Sequence, residues 1–186
     1  MKGSIEVIAG CMFSGKTEEL IRRLRRATIA RKSVLVFKPK VDDRYSALDI
    51  TTHDGRSLTS IPVTCAKDIF RAYYLHPDAP DVVGIDEAQF FGDDLVDVAR
   101  RLASQQGVRT LIAGLDMTSD GTPFGCMPQL MAIADEVTKL HAVCTECGEP
   151  AMFSQRLVTS QEIVLVGGQE SYAARCRIHW GGGHGA

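Results

Sequence analysis

Residues 4–17 read SIEVIAGCMFSGKT, and this stretch decides the fold. Its first part, 4–9, is rich in apolar and β-branched residues and predicts a strand. Its second part, 10–17, matches the pattern G-x-x-x-x-G-K-[ST] without deviation. The residues that follow have apolar side chains three and four positions apart, which predicts an amphipathic helix over 17–32. A glycine-bounded loop between a strand and a helix is the setting in which this pattern holds a phosphate.

The chemistry of a polyphosphate explains the spacing of residues in this loop. Glycines permit the backbone to turn its N–H groups inward, and the helix that follows directs its N-terminus at the phosphates. Lys16 is predicted to reach the β- and γ-phosphates of ATP, and the Thr17 hydroxyl to ligate Mg²⁺. A plain glycine turn is the alternative, but the flanking strand and helix favour the nucleotide. The predicted nucleotide-binding loop comprises Gly10, Cys11, Met12, Phe13, Ser14, Gly15, Lys16 and Thr17.

Strand-like and helix-like stretches alternate as far as about residue 140. Further strands are predicted at 33–37, 82–86 and 110–115, and further helices at 66–74, 93–106 and 127–134. This alternation predicts an α/β fold of the P-loop type, with a mainly parallel sheet flanked by helices. Residues 42–58 interrupt it with a long polar connection of little periodicity, which in a compact domain is usually functional.

A pair of acids follows one predicted strand, in the stretch VVGIDE at residues 82–87. In P-loop proteins a strand beside the phosphate loop ends in an aspartate that holds Mg²⁺, and Asp86 fits this position. Glu87 lies one residue further and could take a proton from an attacking hydroxyl or water. A solvated acidic turn is the alternative, which the phosphate loop upstream disfavours. We include Ala88 and Gln89 with the two acids in the predicted nucleotide-binding segment.

Metal-ligand spacing appears in the last quarter of the chain. Cys144 and Cys147 form a C-x-x-C, Cys176 and His179 form a C-x-x-H, and 28 residues lie between the two pairs. Four such ligands in two short knuckles predict a closed tetrahedral structural Zn²⁺ site. A segment with so small a core would draw its folding energy from the metal. Free buried cysteines are the alternative.

The predicted organisation has three parts. Residues 1–140 form the ATP-binding α/β domain, residues 141–180 form a small zinc-binding β-rich domain, and the glycine-rich residues 181–186 form a disordered tail. Of the four zinc ligands the histidine has the weakest pattern. His141 or His184 could replace it, although neither has the paired spacing.

Composition limits the partners. The chain has 186 residues, with 21 Lys and Arg against 23 Asp and Glu, so bulk charge cannot hold it to nucleic acid. No apolar run approaches the roughly 18 residues that cross a bilayer, and the N-terminus lacks a signal-peptide pattern. Six cysteines without an export signal argue against a disulfide framework. We expect a cytoplasmic protein with neither a nucleic-acid nor a membrane partner.

Together these motifs resemble those of the type II thymidine kinases, over about residues 3–180. The most specific parts are the block DEAQFF at 86–91 and the pattern G-G-x-x-x-Y followed by Cys-Arg, from 167 to 177. The matching stretches are residues 10–17, 43–45, 52–54, 86–91, 114–116, 124–125, 139–140, 166–168, 172 and 176–177.

The resemblance implies transfer of the ATP γ-phosphate to the 5′-hydroxyl of thymidine, and of deoxyuridine as a further expected acceptor, in nucleotide salvage for DNA synthesis. It implies that Glu87 is the general base, that Lys16 and Thr17 hold the phosphate and Mg²⁺, and that Arg44 lies near the transferred phosphate. Asp86 keeps its predicted place as an Mg²⁺ ligand. Family members are typically homotetramers that thymidine triphosphate inhibits.

The resemblance also implies a nucleoside site. In the family, the zinc-bearing domain carries a lasso-like loop whose backbone reads the base. The matching residues here are Ile163, Val164, Leu165, Val166 and Gly167, together with Tyr172. The expected apolar contacts to the base are Met12, Phe90 and Leu115. One departure concerns the aromatic residue that usually stacks beside the base, because this chain has Ser119 there. Met117 or Phe124 is expected to fill the gap.

Two other classes compete with this interpretation. Residues 86–88 also resemble motifs of helicase motors, in which the glutamate orients a water, but such motors usually need two motor domains and 186 residues hold one. A zinc-ribbon module for nucleic acid would show a basic face with interleaved aromatics. The last quarter has arginines but few stacking aromatics. Dependence of ATP turnover on a nucleoside separates the kinase from an ATPase.

Overall fold

The computed structural model describes residues 3–40, 49–51, 57–158 and 170–182. The strands are Ser4–Gly10 (β1), Val34–Pro39 (β2), Asp49–Thr51 (β3), Ser57–Thr59 (β4), Ile61–Val63 (β5), Val82–Ile85 (β6), Arg109–Leu115 (β7), Glu136–Leu140 (β8), Ala142–Val143 (β9), Pro150–Ala151 (β10), Phe153–Arg156 (β11) and Tyr172–Arg175 (β12). The helices are Lys16–Ile29 (α1), Ala66–Leu75 (α2), Asp94–Ser104 (α3) and Met127–Ile133 (α4), and a 3₁₀ helix covers Ala88–Phe90.

A six-stranded sheet in the order β5-β2-β6-β7-β1-β8 forms the centre of the molecule. All of its neighbouring strands pair in parallel, so their carboxyl ends meet at one edge. Gly10, the last residue of β1, is level with Leu115 of β7 on one side and with Leu140 of β8 on the other. The predicted parallel α/β architecture is confirmed, and the phosphate loop begins between two strand ends.

Apolar side chains cover the sheet on both faces. Successive residues of β1 alternate, so that Val7 joins one buried cluster and Ile8 the other. Helices α2, α3 and α4 pack on the first face, and α1 packs on the second. Because both faces are covered, the central strands are near-continuous apolar runs, and this is why the sequence pattern revealed them.

The pattern revealed the outer strands less well. It did not predict β8, whose sequence EVTKL is mostly polar and whose residues are all exposed or half-buried at the edge of the sheet. It did not predict β5, in which Pro62 disrupts the strand signal but is tolerated at the opposite edge. Strands β3 and β4 pair antiparallel within the polar connection, where no element was predicted. Helix α1 ends at Ile29 rather than residue 32, since Arg31 adopts a left-handed φ of 60°.

The C-terminal segment, by which we mean residues 142–158 and 170–182, contains two small antiparallel sheets, β9–β10 and β11–β12. Its buried cluster includes Cys144, Ala151 and Cys176 and extends to Cys11 of the phosphate loop. Strand β8 ends at Leu140, just before the predicted boundary. The division into separate domains and a disordered tail stays a prediction.

Within the described ranges, no helix has both the length and the apolar character needed to cross a bilayer.

Candidate functional site

The phosphate loop turns sharply between β1 and α1. Gly10 has a φ of 150°, and a Cβ there would lie 2.4 Å from the Leu140 carbonyl oxygen, so only glycine fits. Gly15 precedes α1 with a left-handed φ of 81°. The Ser14 hydroxyl and the Lys16 ammonium donate to the Cys11 carbonyl at 2.8 and 2.7 Å. The loop is therefore closed by its own side chains, and the lysine charge lies against it.

Asp86 links the end of β6 to the phosphate loop. The Thr17 hydroxyl donates to its carboxylate at 3.1 Å, across 69 residues of sequence. Asp86 is buried, and its pKa is raised because burial disfavours the charged form and the neighbouring Glu87 adds a second negative charge. A buried carboxylate beside a hydroxyl offers two of the oxygen ligands that Mg²⁺ prefers, so these residues fit the predicted cation.

Glu87 projects from a constrained turn at the same edge. Its backbone is left-handed, with φ 52° and ψ 42°, and its side chain is exposed. The Gln89 side-chain Nε2–H donates to the Glu87 carboxylate at 2.5 Å, and the Gln89 side-chain Oε1 accepts the Leu115 N–H at 2.9 Å. Gln89 is itself buried. This glutamine therefore fixes an exposed acid relative to the ends of two neighbouring strands.

The predicted apolar contacts come from three neighbouring strand ends. Met12 follows β1, Phe90 closes the 3₁₀ helix after β6, and Leu115 ends β7. The Met12 N–H donates to the Ser154 hydroxyl at 3.0 Å, which ties the loop to β11. The Phe90 ring meets Phe124 edge to face, with 5.7 Å between ring centroids. The predicted residues thus share one edge of the sheet.

Ser119 lies at the tip of the connection between β7 and α4. The connection folds on itself, because Met117 forms a bridge with Pro123 and the Phe124 N–H donates to the Asp116 carbonyl at 3.0 Å. Ser119 is buried, and its carbonyl accepts the Trp180 indole N–H at 3.2 Å. No motif in the sequence indicated a role for this tryptophan. Of the two residues expected to fill the gap, Phe124 packs on Phe90.

The predicted zinc ligands come together. Their ligand atoms all lie within 4.8 Å of one another. The sulfurs of Cys147 and Cys176 are 3.8 Å apart, and Nδ1 of His179 lies 3.3 Å from the Cys176 sulfur and 3.8 Å from that of Cys144. Tetrahedral zinc with bonds of about 2.3 Å to sulfur and about 2.0 Å to nitrogen separates its ligands by about 3.5–3.8 Å. The cluster fits zinc.

Two of the four ligands have a lowered pKa, whereas the pKa of Cys147 is raised and hydrogen bonds to Cys144 and Cys176 raise that of His179. Burial disfavours ionisation of Cys144, but backbone N–H groups directed at its sulfur outweigh this and lower its pKa. Hydrogen bonds from the backbone near His179 lower the pKa of Cys176. Thiolates are the zinc-binding form of cysteine, so the backbone favours that form at Cys144 and Cys176.

Some predicted site residues lie outside the described residues. These are Arg44 and the lasso residues Ile163, Val164, Leu165, Val166 and Gly167. Tyr172, in contrast, is buried on β12, with the Arg156 guanidinium 5.8 Å from its ring centroid.

Two further features were missed. Asp116 is buried after β7 and forms an ion pair with Lys139 of β8 at 2.8 Å. Both residues belong to stretches that carry the family resemblance, which was the available signal, but no role had been assigned to them. Ser154 had no signal, because it meets the phosphate loop across 142 residues of sequence. Pairings at such a distance do not show in local patterns.

The fold and the site define a class. In this parallel sheet the phosphate loop follows β1, and Asp86 at the end of β6, two strands away, is bonded to the loop residue Thr17. This arrangement makes the chain a P-loop nucleotide-binding protein. The Cys₃His cluster adds a zinc-type site to it.

Comparison with known proteins narrows the class to a family. The sequence model of the family described as thymidine kinase matches residues 3–180. A thymidine kinase of Bacteroides thetaiotaomicron is 54% identical over 176 residues, which is 95% of this chain and 86% of that protein. One of Rhodothermus sp. is 55% identical over 175 residues, which is 94% of this chain and 80% of that protein. The chain belongs to the thymidine kinase family.

Proposed function

We propose that this protein is an ATP-dependent thymidine kinase, which transfers the γ-phosphate of ATP to the 5′-hydroxyl of thymidine. Family membership over residues 3–180 supports the substrates. One observation in the structure supports the reaction more than any other. The exposed Glu87 is held by Gln89 directly beside Asp86, which is bonded to the phosphate loop. An acid that can accept a proton thus stands next to the phosphate site.

The phosphate loop would bind ATP through its backbone N–H groups and the N-terminus of α1. Lys16 would exchange its bond with the Cys11 carbonyl for the β- and γ-phosphates, and its charge would stabilise the charge that spreads over the transferred group. Thr17 and Asp86 would hold Mg²⁺. Bound there, the ion would neutralise phosphate charge. It would also favour the ionised form of Asp86, whose pKa burial has raised.

Glu87 would act as the general base toward the nucleoside 5′-hydroxyl. Its side chain is open to an incoming substrate, while the Gln89 bond limits its rotation. Phosphoryl transfer through a loose transition state needs little early deprotonation, so the base contributes about 10²–10⁴ in rate and positioning contributes the rest. The family resemblance assigns Arg44 a place near the transferred phosphate.

The nucleoside would bind at the edge formed by Met12, Phe90 and Leu115, with Ser119 and Tyr172 beside it. Residues 163–167 would supply the backbone groups that read the base, as the family's lasso does. The four clustered Cys and His residues would hold a structural Zn²⁺. Homotetramer formation, inhibition by thymidine triphosphate, acceptance of deoxyuridine and a cytoplasmic location remain proposals that rest on the family.

Product formation from ATP, Mg²⁺ and a panel of the common deoxynucleosides tests the proposal. Thymidine should stimulate ADP release and give thymidine 5′-phosphate in equal amount, and deoxyuridine reports on selectivity. Equal ADP release with and without every nucleoside would identify an ATPase and refute the kinase.

A further inference from the structure

The end of the C-terminal segment reaches back to the connection between β7 and α4. Trp180 directly follows the predicted zinc ligand His179, and its indole N–H donates to the Ser119 carbonyl at 3.2 Å. The far edge of the indole faces Gly121, where a Cβ would lie 2.5 Å from the ring. The connection can approach the tryptophan this closely only because residue 121 is glycine.

Residues of the C-terminal segment hold the tryptophan on its other side. Its ring stacks on Phe153 of β11, with 4.3 Å between centroids and 8° between planes. The Arg177 guanidinium lies 5.2 Å from the Phe153 centroid, and the Gly181 N–H donates to the buried Gln155 side chain at 2.8 Å. Contacts on both sides of residue 180 therefore fix the direction in which the indole N–H points.

The connection that Trp180 contacts belongs to the proposed nucleoside side. It follows Leu115 and includes Phe124, whose ring packs on Phe90. Internal hydrogen bonds make it a small closed unit: the Gly121 N–H donates to the Thr118 carbonyl, and the Thr118 N–H to the Thr122 carbonyl. A closed unit moves as a whole, so a contact at its tip fixes the apolar residues at its base.

We propose that Trp180 is a positioning residue, which fastens the C-terminal segment to the connection between β7 and α4 and thereby holds the nucleoside side of the site in place. The inference rests on the proposed function. It predicts a division of labour, because the phosphate loop is tied to the same segment by separate bonds, from Met12 to Ser154 and from the Cys11 thiol to the Ala151 carbonyl. Loss of Trp180 should therefore affect nucleoside binding and leave ATP binding unchanged.

Kinetics of Trp180→Ala test this division. The KM for thymidine should rise about 3- to 20-fold, the effect of losing one hydrogen bond and one stacked ring, while kcat and the KM for ATP change by less than about twofold. Trp180→Phe keeps a ring on Phe153 but lacks the N–H donor. Its KM for thymidine should therefore lie between those of the wild type and Trp180→Ala. Ile178→Ala is the matched control, since that side chain is 87% exposed in the same knuckle.

Two measurements are independent of catalysis. Trp180 is the only tryptophan of the chain, so intrinsic fluorescence reports on it alone. Chelation of zinc from the wild-type protein should shift its emission to longer wavelength as the indole leaves Ser119. In Trp180→Ala, the amides of Gly121 and Phe124 should exchange faster with deuterium, while the zinc content matches that of the wild type. Ile178→Ala should show neither change.

Three results would overturn the inference. One is a wild-type KM for thymidine in Trp180→Ala with wild-type amide protection at Gly121. Another is a variant in which kcat falls, the KM values for thymidine and ATP both rise and zinc is lost. That result would make the residue merely structural. The third is an emission unchanged by chelation. If no nucleoside stimulates the wild-type enzyme, the proposed function fails, and the exchange and fluorescence results still decide whether Trp180 holds the connection.

Discussion

The six-stranded sheet and the C-terminal segment both contribute to the phosphate loop, but different forces stabilise them. The sheet buries apolar side chains on both faces under four helices. The C-terminal segment shares one small buried cluster with the loop, and half of its members are cysteines. Apolar burial is spread over many residues, whereas a zinc ion at the Cys₃His cluster would concentrate stabilisation at four ligands. A substitution at the carboxyl edge of the sheet should therefore change the rate of the reaction and leave the fold intact. A substitution of a Cys₃His ligand should disrupt the structure of the C-terminal segment.

Zinc removal should have the largest effect. In zinc-finger peptides the metal contributes about 10–16 kcal/mol, so chelation should unfold the C-terminal segment locally. Hydrogen–deuterium exchange should show lost protection over β9–β12 and retained protection in β1 and β7. Simultaneous loss of protection in β1 and β7 would show that the sheet and the C-terminal segment unfold as one cooperative unit. That result would contradict the view that different forces stabilise the two regions.

Glu87→Gln should have the largest effect that leaves the structure intact. The substitution keeps the size of the side chain and removes proton acceptance, so kcat should fall by about 10²–10⁴ at unchanged melting temperature. Asp97→Asn, an equal change of charge at an exposed site on α3, is the control. Retention of more than about a third of kcat would refute the role of Glu87 as general base.

Lys16→Ala should remove about 10²–10³ from kcat, since one positive charge on the transferring phosphate is lost. The apolar core is untouched, so the midpoint of urea unfolding should stay within error of the wild type. The exposed Lys67→Ala serves as the control for charge. Wild-type turnover in a folded variant would mean that the lysine does not contact the phosphates.

Protonation of Glu19, on the helix α1 that covers one face of the sheet, should have a smaller effect on stability. Hydrogen bonds from Arg22, and then from Arg23, lower the pKa of Glu19 from 4.5 to about 2 against the cost of burial. The depressed pKa stabilises the fold above about pH 4.5, and this contribution is lost as the pH falls toward 2. After solvent screening it amounts to about 1–2 kcal/mol. In Glu19→Gln, the free energy of unfolding measured in urea should depend less steeply on pH between about 2 and 4.5. The same pH dependence as in the wild type would contradict a stabilising role for Glu19.

The smallest effect should come from the bond that joins the two regions. Ser154→Ala leaves the Met12 N–H without its acceptor, which should weaken ATP binding by about 1 kcal/mol, or about fivefold. Ser154→Thr keeps the hydroxyl and should restore affinity. Equal affinity in all three proteins, measured by calorimetry, would show that the loop holds its shape without the C-terminal segment.

The sequence predicted what local chemistry determines. The phosphate loop, the acids after β6 and the four clustered ligands each follow from residue types at short spacing, and the apolar runs of the central strands follow from burial on both faces. The outer strands β5 and β8 were missed because one contains a proline and the other is half exposed. Edge strands need less apolar sequence, so they resemble loops.

The contacts between regions could not be predicted. Ser154 and Trp180 meet residues more than sixty positions away, and nothing in their own neighbourhoods indicates a partner. Such contacts depend on how the C-terminal segment docks, which the complete fold decides. Gln89 is the intermediate case. Its place in the DEAQFF block indicated importance, but its bond to Leu115 became evident only from the order of the strands.

The bonds from the phosphate loop to Ala151 and Ser154 also bear on how the protein is made. The loop covers residues 10–17, yet two of its bonds join it to partners that are made 140 and 142 residues later. At about 5–20 residues per second, the chain between them takes roughly 7–30 s to synthesise. The nascent sheet can collapse in that interval, but its nucleotide loop lacks these two bonds until residues 151 and 154 have been made. A chain stalled before residue 150 would have the binding motif without these two bonds, so it should bind nucleotide more weakly than the finished protein does.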